Sequence, residues 1–156
     1  MSTLSPLAIS SSLARETGEV FLILLEISHS SLIKPHYLVN NTENIVSGGN
    51  TYTAYPFDIQ LQDENDESLG TVKLIIDNVD RSLVALIRQM SEPPSFVIKL
   101  VLSSQPDIVE ITISDLKLRE CSYNRYTIEG ELYSDDILST RFPESTIDAT
   151  QYLGLF

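Results

Sequence analysis

Tryptophan is absent from this chain, cysteine occurs once, histidine occurs twice, and 10 Lys and Arg face 22 Asp and Glu in 156 residues. Each shortage excludes something. A single cysteine, Cys121, can form neither an intrachain disulfide nor a cysteine cluster for zinc or iron–sulfur. It fits a reducing compartment, and in its strand-like surroundings it reads as a small packed side chain and not a nucleophile. A net charge of −12 argues against a general nucleic-acid binder, because few groups are left to neutralise a phosphate backbone. It argues equally against an anionic membrane surface. The bland reading of that charge is solubility. No basic segment precedes an apolar run in residues 1–14, so export by a signal peptide is not expected. The most apolar run, Val20 to Ile27, is too short to span a bilayer and contains Glu26.

An apolar fraction of 42% over this length predicts one folded domain with its own core. The pattern is mostly that of strands. Residues 19–28 form a first strand whose uninterrupted apolar run, Val20 to Leu25, is expected to be buried on both faces. Residues 35–40 are a second short strand, with turns at Asn40-Asn41 and Ser47-Gly48-Gly49-Asn50 around Ile45-Val46. Residues 50–61 read as strand, with Phe57, Ile59 and Leu61 inward and Pro56 placing the segment at a strand start or a sheet edge. Residues 71–77 set Val72, Leu74 and Ile76 on one face. Later strands cover residues 95–103 and 107–114, joined by a hairpin loop at Ser104-Gln105-Pro106. Val109, Ile111 and Ile113 share one parity, and Leu116 and Leu118 the other, which predicts a bulge near Ser114-Asp115. A last hairpin turns at Asn124-Arg125, weakly signed because Arg suits a positive φ poorly.

Within this strand pattern one helix is written out, at about residues 80–91. Asp80 is placed to cap it, Val79 and Val84 to staple the cap, and Pro93-Pro94 to end it. Leu83, Leu86, Ile87 and Met90 fall on one face of a 3.6-residue period. Residues 1–17 and 135–156 have no period of their own. The expected organisation is an N-terminal arm (1–17), a β domain with one helix (18–134) and a C-terminal arm (135–156).

No chemical motif assembles. The acidic stretch Asp63 to Glu67 alternates like a calcium loop but lacks Gly at the sixth position and Glu at the twelfth, so it reads as a solvated hairpin tip. His29 and His36 would need more zinc ligands than Glu26. Ser28, Ser30 and Ser31 flank His29 without a triad, and Asp135-Asp136 reads as surface charge. There is no Gly-x-Ser-x-Gly, no phosphate-binding glycine loop and no His-Glu-x-x-His. Asn40-Asn41-Thr42 fits the glycosylation pattern but has no export signal to give it meaning. The expectation is no catalysis, no cofactor and no metal.

Gly49-Asn50-Thr51-Tyr52-Thr53-Ala54-Tyr55-Pro56-Phe57 resembles the G-x-x-Y-x-x-[YF]-P strand of tail proteins from long-tailed phages. Other marks follow in matching order. Glu16-Thr17-Gly18-Glu19-Val20 precedes a strand ending Ile27-Ser28-His29; Ile75-Ile76-Asp77-Asn78-Val79-Asp80-Arg81 enters the helix; Asp107-Ile108-Val109-Glu110-Ile111 follows the next strand; Arg141-Phe142-Pro143 and Gly154-Leu155-Phe156 come last. Together, over residues 16–156, they resemble a tail-protein family of long-tailed phages and, more distantly, the tail-tip protein L family of lambda-like phages. The distant relatives carry an extra cysteine-bearing domain able to hold an iron–sulfur cluster; with one cysteine, this chain does not inherit that cofactor.

The resemblance implies a mainly β, tail-tube-like antiparallel sandwich or split barrel with one helix on its side. It implies a structural role in a tail tip or distal tail hub, as a homo-oligomeric ring around the DNA-exit channel. The partners implied are tube, tape-measure, hub and tip proteins, with DNA only in passage and no membrane insertion. The implied location is the virion tail, and the host cytoplasm during assembly. The candidate assembly interface is Tyr52, Tyr55, Arg141, Phe142, Tyr152, Leu153, Leu155 and Phe156. The rival expectation is a β-sandwich module that binds a host-surface ligand. Such modules usually present aromatics on an exposed face, whereas here most Tyr and Phe fall within strand patterns.

Overall fold

The computed structural model describes residues 4–7, 9, 19–61, 71–77 and 81–134, with the backbone alone at residue 61 and at 81–84. The fold is mainly β with one short helix. In chain order the elements are β1 (Phe21–Ser28), β2 (His36–Val39), β3 (Ile45–Ser47), β4 (Asn50–Ala54), β5 (Phe57–Leu61), β6 (Val72–Asp77), α1 (Arg81–Gln89), β7 (Ser95–Leu102), β8 (Gln105–Tyr123) and β9 (Thr127–Tyr133). The nine strands form one sheet in the order β3-β4-β2-β1-β7-β8-β9-β6-β5. All pairings are antiparallel except the short parallel contact of β2 with β4, at Leu38–Thr53 and Val39–Ala54.

Only Tyr55 and Pro56 separate β4 from β5, yet these strands lie near opposite ends of that order. Two residues span less than about 8 Å, so the sheet has to curl until its ends meet. The hydrogen bonds show the meeting point: Tyr55 N donates to Val39 O of β2 (3.0 Å), and Asp77 N of β6 donates to Pro56 O (3.0 Å). The single strand expected over residues 50–61 is therefore two, broken where Pro56 cannot donate to a ladder. Pro56 does open an edge strand, as its chemistry requires.

Curling gives the sheet an interior. Leu25, Ile27, Leu38, Phe57, Leu74, Ile76, Phe96 and Leu116 are among the residues of one buried cluster that draws on β1, β2 and β5 to β9. Leu86 and Ile87 of α1 pack against it, which is why the helical period lies where it does. Leu22, Leu24 and Val101, on the opposite faces of β1 and β7, form a second cluster with Tyr52, covered by the β3–β4 hairpin. This explains the unbroken apolar run of β1: one parity faces the interior and the other faces the hairpin. Gly48 and Gly49, with φ of 56° and 80°, make the tight turn of that hairpin.

The predicted bulge is present. Phe96 pairs with Leu116 and Ile98 with Ile113, so β8 carries one extra residue there, and Asp115 takes a φ of 58°. The expected loop at 104–106 is displaced: Leu102 pairs with Gln105, so the turn is Ser103-Ser104 and Pro106 lies in β8. The last hairpin turns without any positive φ. Asn124 Oδ1 accepts from Tyr126 N (2.7 Å) and Thr127 N (2.8 Å), so the Asn side chain and not a glycine shapes it.

The cap at Asp80, the staple at Val79 and Val84, Leu83, the acidic stretch 63–67, Asp135-Asp136 and the 135–156 arm concern features outside the described residues. Part of the N-terminal arm is described and packs on its own domain. Ser5 N and Oγ donate to Oε2 and Oε1 of the buried Glu110 (2.6 and 2.5 Å), and Leu4 packs on Phe21, Leu100 and Leu102.

Candidate functional site

β8 outruns its neighbour β7. Ser95, the first residue of β7, pairs with Lys117, and beyond that point the described residues supply β8 with a ladder partner only in β9. The lane beside it is taken by Pro93 and Pro94, which carry no N–H to pair. A groove of about 350 Å³ opens there, between the end of α1 and the far half of β8. Ile87, Met90, Leu118 and Ile128 give it an apolar floor; Arg88, Arg119 and Tyr123 stand around it. The Arg88 guanidinium sits 4.0 Å above the Tyr123 ring and ties the last turn of α1 to β8.

Cys121 also lines the groove and is exposed, so it is not the packed side chain expected from its strand setting. Surrounding protein raises its thiol above the ordinary cysteine range, and the positive charge of Arg88 only partly offsets this. The thiol form therefore dominates at neutral pH, which suits a passive wall residue.

A second polar constellation lies on the covered face of β1. Glu26 shares that face with Leu22 and Leu24. Its Oε1 accepts from the Tyr52 hydroxyl and from Lys99 Nζ (2.6 Å). Tyr37 meets Tyr52 edge to face, with ring centroids 5.1 Å apart. Burial, reinforced by the adjacent Glu26 carboxylate, holds the Tyr52 phenol protonated far above the usual tyrosine range. These groups satisfy one another and leave nothing pointed at a substrate.

Tyr52 is only 1% exposed, which corrects its place among the expected interface residues: its ring fills the second cluster and its hydroxyl is already bonded. Tyr55 is half-buried against the main cluster at the closure of the sheet. Arg141, Phe142, Tyr152, Leu153, Leu155 and Phe156 lie outside the described residues. His29 Nδ1 is engaged by Ser31 Oγ (2.6 Å) and Ser31 N (3.0 Å), a local turn contact. Among the described residues no group of three or more His, Cys, Asp and Glu converges as a metal would need. No helix there is long and apolar enough to cross a membrane.

Two surfaces escaped the sequence reading. Ile108 and Val109 at the start of β8 are 47% and 37% exposed; the expectation for Val109 is only that it shares a face with Ile111 and Ile113. Tyr123 and Tyr126 at its other end are 53% and 73% exposed. Alternation reports which residues share a face, not whether that face is covered.

No curated protein matches the chain. Residues 8–147 match a domain of unknown function, DUF1833. That match takes in every strand and the helix, so the chain belongs to the DUF1833 family.

Proposed function

We propose that this chain is a structural component of a phage tail tip or distal tail hub, forming a ring around the DNA-exit channel and bridging the tail tube to the tip proteins. The observation that carries the reading is the ordered set of sequence marks from Glu16 to Phe156, with the Gly49–Phe57 stretch at its centre. The places those central residues occupy support it: Gly49 turns the β3–β4 hairpin, Tyr52 fills the core beneath it, and Pro56 sits where the sheet closes. The net charge of −12 suits a lumen that passes DNA without retaining it. The chain acts by shape and contact, without catalysis.

Immunogold labelling of intact virions with antibody to this chain tests the proposal. Label confined to the distal end of the tail is the expected result. Label on the capsid, or none on virions of a phage that makes the chain, overturns it.

A further inference from the structure

The N-terminal segment occupies a shaped seat at one end of the molecule. Leu4 packs among Phe21, Leu100 and Leu102, where β1 begins and β7 ends. Ile23 packs against both this cluster and the main one, so Leu4 plugs the interior of the curled sheet at that end. Beside it, Ser5 N and Oγ donate to Oε2 and Oε1 of the buried Glu110 (2.6 and 2.5 Å). A second irregularity of β8 aims that carboxylate. Leu100 pairs with Ile111 but Val101 with Val109, so Glu110 is an extra residue on β8, and a bulge redirects its side chain. A buried carboxylate is tolerated only where donors meet it. The seat is therefore selective. It fits an apolar side chain followed by a backbone N–H and a hydroxyl, and it rejects an apolar segment without those donors.

Seated in its own molecule, the segment still leaves Leu7 and Ile9 exposed. Val20 and Val109 are exposed beside the seat: Ser103 N at the end of β7 donates to Val20 O (2.8 Å), and Val109 adjoins Glu110. A contiguous exposed apolar set marks a contact surface. The connection is also long. Ten chain steps separate Ile9 from Glu19 (9 to 19), and ten steps span at most about 35 Å. A folded unit of this size is roughly 30–35 Å across. Leu4 packs on Phe21 of its own chain, so that length is not needed to reach its own seat. It is enough to reach the seat of an adjoining copy.

We propose that copies of this chain exchange their N-terminal segments: Leu4 and Ser5 of one copy occupy the Glu110 seat of the next. The seat itself identifies the occupant, because it holds this segment in the single chain and every other copy carries the same one. Exchange keeps each hydrogen bond and apolar contact of the seat, and it adds the apolar surface that two adjoining ends cover. Giving and receiving are different parts of the molecule. Each copy gives one segment and takes one, and the series closes into a ring when the rotation allows. This rests on the ring reading above and says what holds neighbours together.

The test uses the full chain with one change on each side of the contact. Leu4→Asp spoils the segment and Glu110→Ala spoils the seat, with Glu110→Gln as a second seat variant should the first fail to fold. Light scattering across a concentration series should show the parent assembling and each variant alone staying monomeric. Mixed in equal amounts, the two variants keep one sound segment and one sound seat, on different copies. They should form a one-to-one pair and nothing larger. A peptide of residues 1–9, with a fluorophore at its C-terminus, reads the seat directly. It should bind the Leu4→Asp chain at least about tenfold more tightly than the same peptide carrying Leu4→Asp. A parent that stays monomeric, a variant that assembles like the parent, a mixture that fails to pair, or a peptide that does not bind the folded Leu4→Asp chain overturns the exchange. The labelling experiment above is separate. Distal label with variants that assemble like the parent leaves the ring and removes the exchange, whereas absent label with variants that pair removes the tail and leaves the exchange.

Discussion

Tyr52 shows how one side chain can serve two layers. Its ring fills the space between β1 and the β3–β4 hairpin, and its hydroxyl gives the buried end of Glu26 a donor. Tyr52→Phe keeps the ring and removes the donor, so urea unfolding should show a loss of about 1–3 kcal/mol. The pH dependence has a definite sign. The folded state raises the phenol's pKa, so its contribution to stability is complete below the unfolded tyrosine value of about 10 and declines as pH climbs past it. Melting temperatures measured between pH 9 and 11 should fall less steeply for Tyr52→Phe than for the parent. Tyr52 also marks a limit of sequence reading. Flanked by Thr51 and Thr53, it looks like an outward aromatic on a polar strand. What buries it is the folding of a hairpin over β1, a non-local event.

Elements were legible where their signal was local. The helix was readable from its period and its proline stop, and α1 occupies Arg81–Gln89. Asp80→Ala is expected to cost about 1 kcal/mol in thermal or urea unfolding, the usual worth of an N-terminal cap. The bulge was readable because strand parity flips between Ile113 and Leu116, and only an extra residue mends that. At a φ of 58°, Asp115 tolerates the left-handed region better than most residues. Asp115→Val should therefore lose about 1–2 kcal/mol, and Asp115→Gly should lose little or gain slightly, both measured by urea titration. Hairpin chemistry was less legible. Nothing in the order Asn124-Arg125 shows that the Asn side chain replaces glycine by accepting two backbone N–H groups, and Pro106 reads as a loop until its pairing partners are known.

At the scale of the molecule, the sequence defined strands but not their neighbours. β4 and β5 read as one segment because both are strand-like and only Tyr55-Pro56 lies between them, and the groove could not be foreseen because it exists only where β8 passes the start of β7. The candidate residues at Arg141, Phe142 and 152–156 bear on assembly at this scale. Fully burying side chains such as Tyr152, Leu153, Leu155 and Phe156 is worth roughly 1.5–3 kcal/mol each. Deleting residues 150–156 should leave the melting curve unchanged and keep the protein out of tails, as read by blotting purified virions. Unfolding, or normal incorporation, would count against the arm.

The closure at Tyr55 and Pro56 also governs how the chain can come apart. A sheet with free ends can fray from either side, one strand at a time. Here one short covalent seam holds both margins, so peeling β5 away pulls on β4 and through it on β2. Opening should then be concerted, with the amides of β1 and β6 exchanging with solvent at nearly the same free energy as global unfolding, a pattern that hydrogen-exchange measurements can read. The same seam sets a kinetic cost: β1 reaches β7 and β6 reaches β9 across long stretches of chain, and neither pairing is sheltered until the margins meet. A molecule built this way would reach its final form late and all at once, with little in between for a partner to engage.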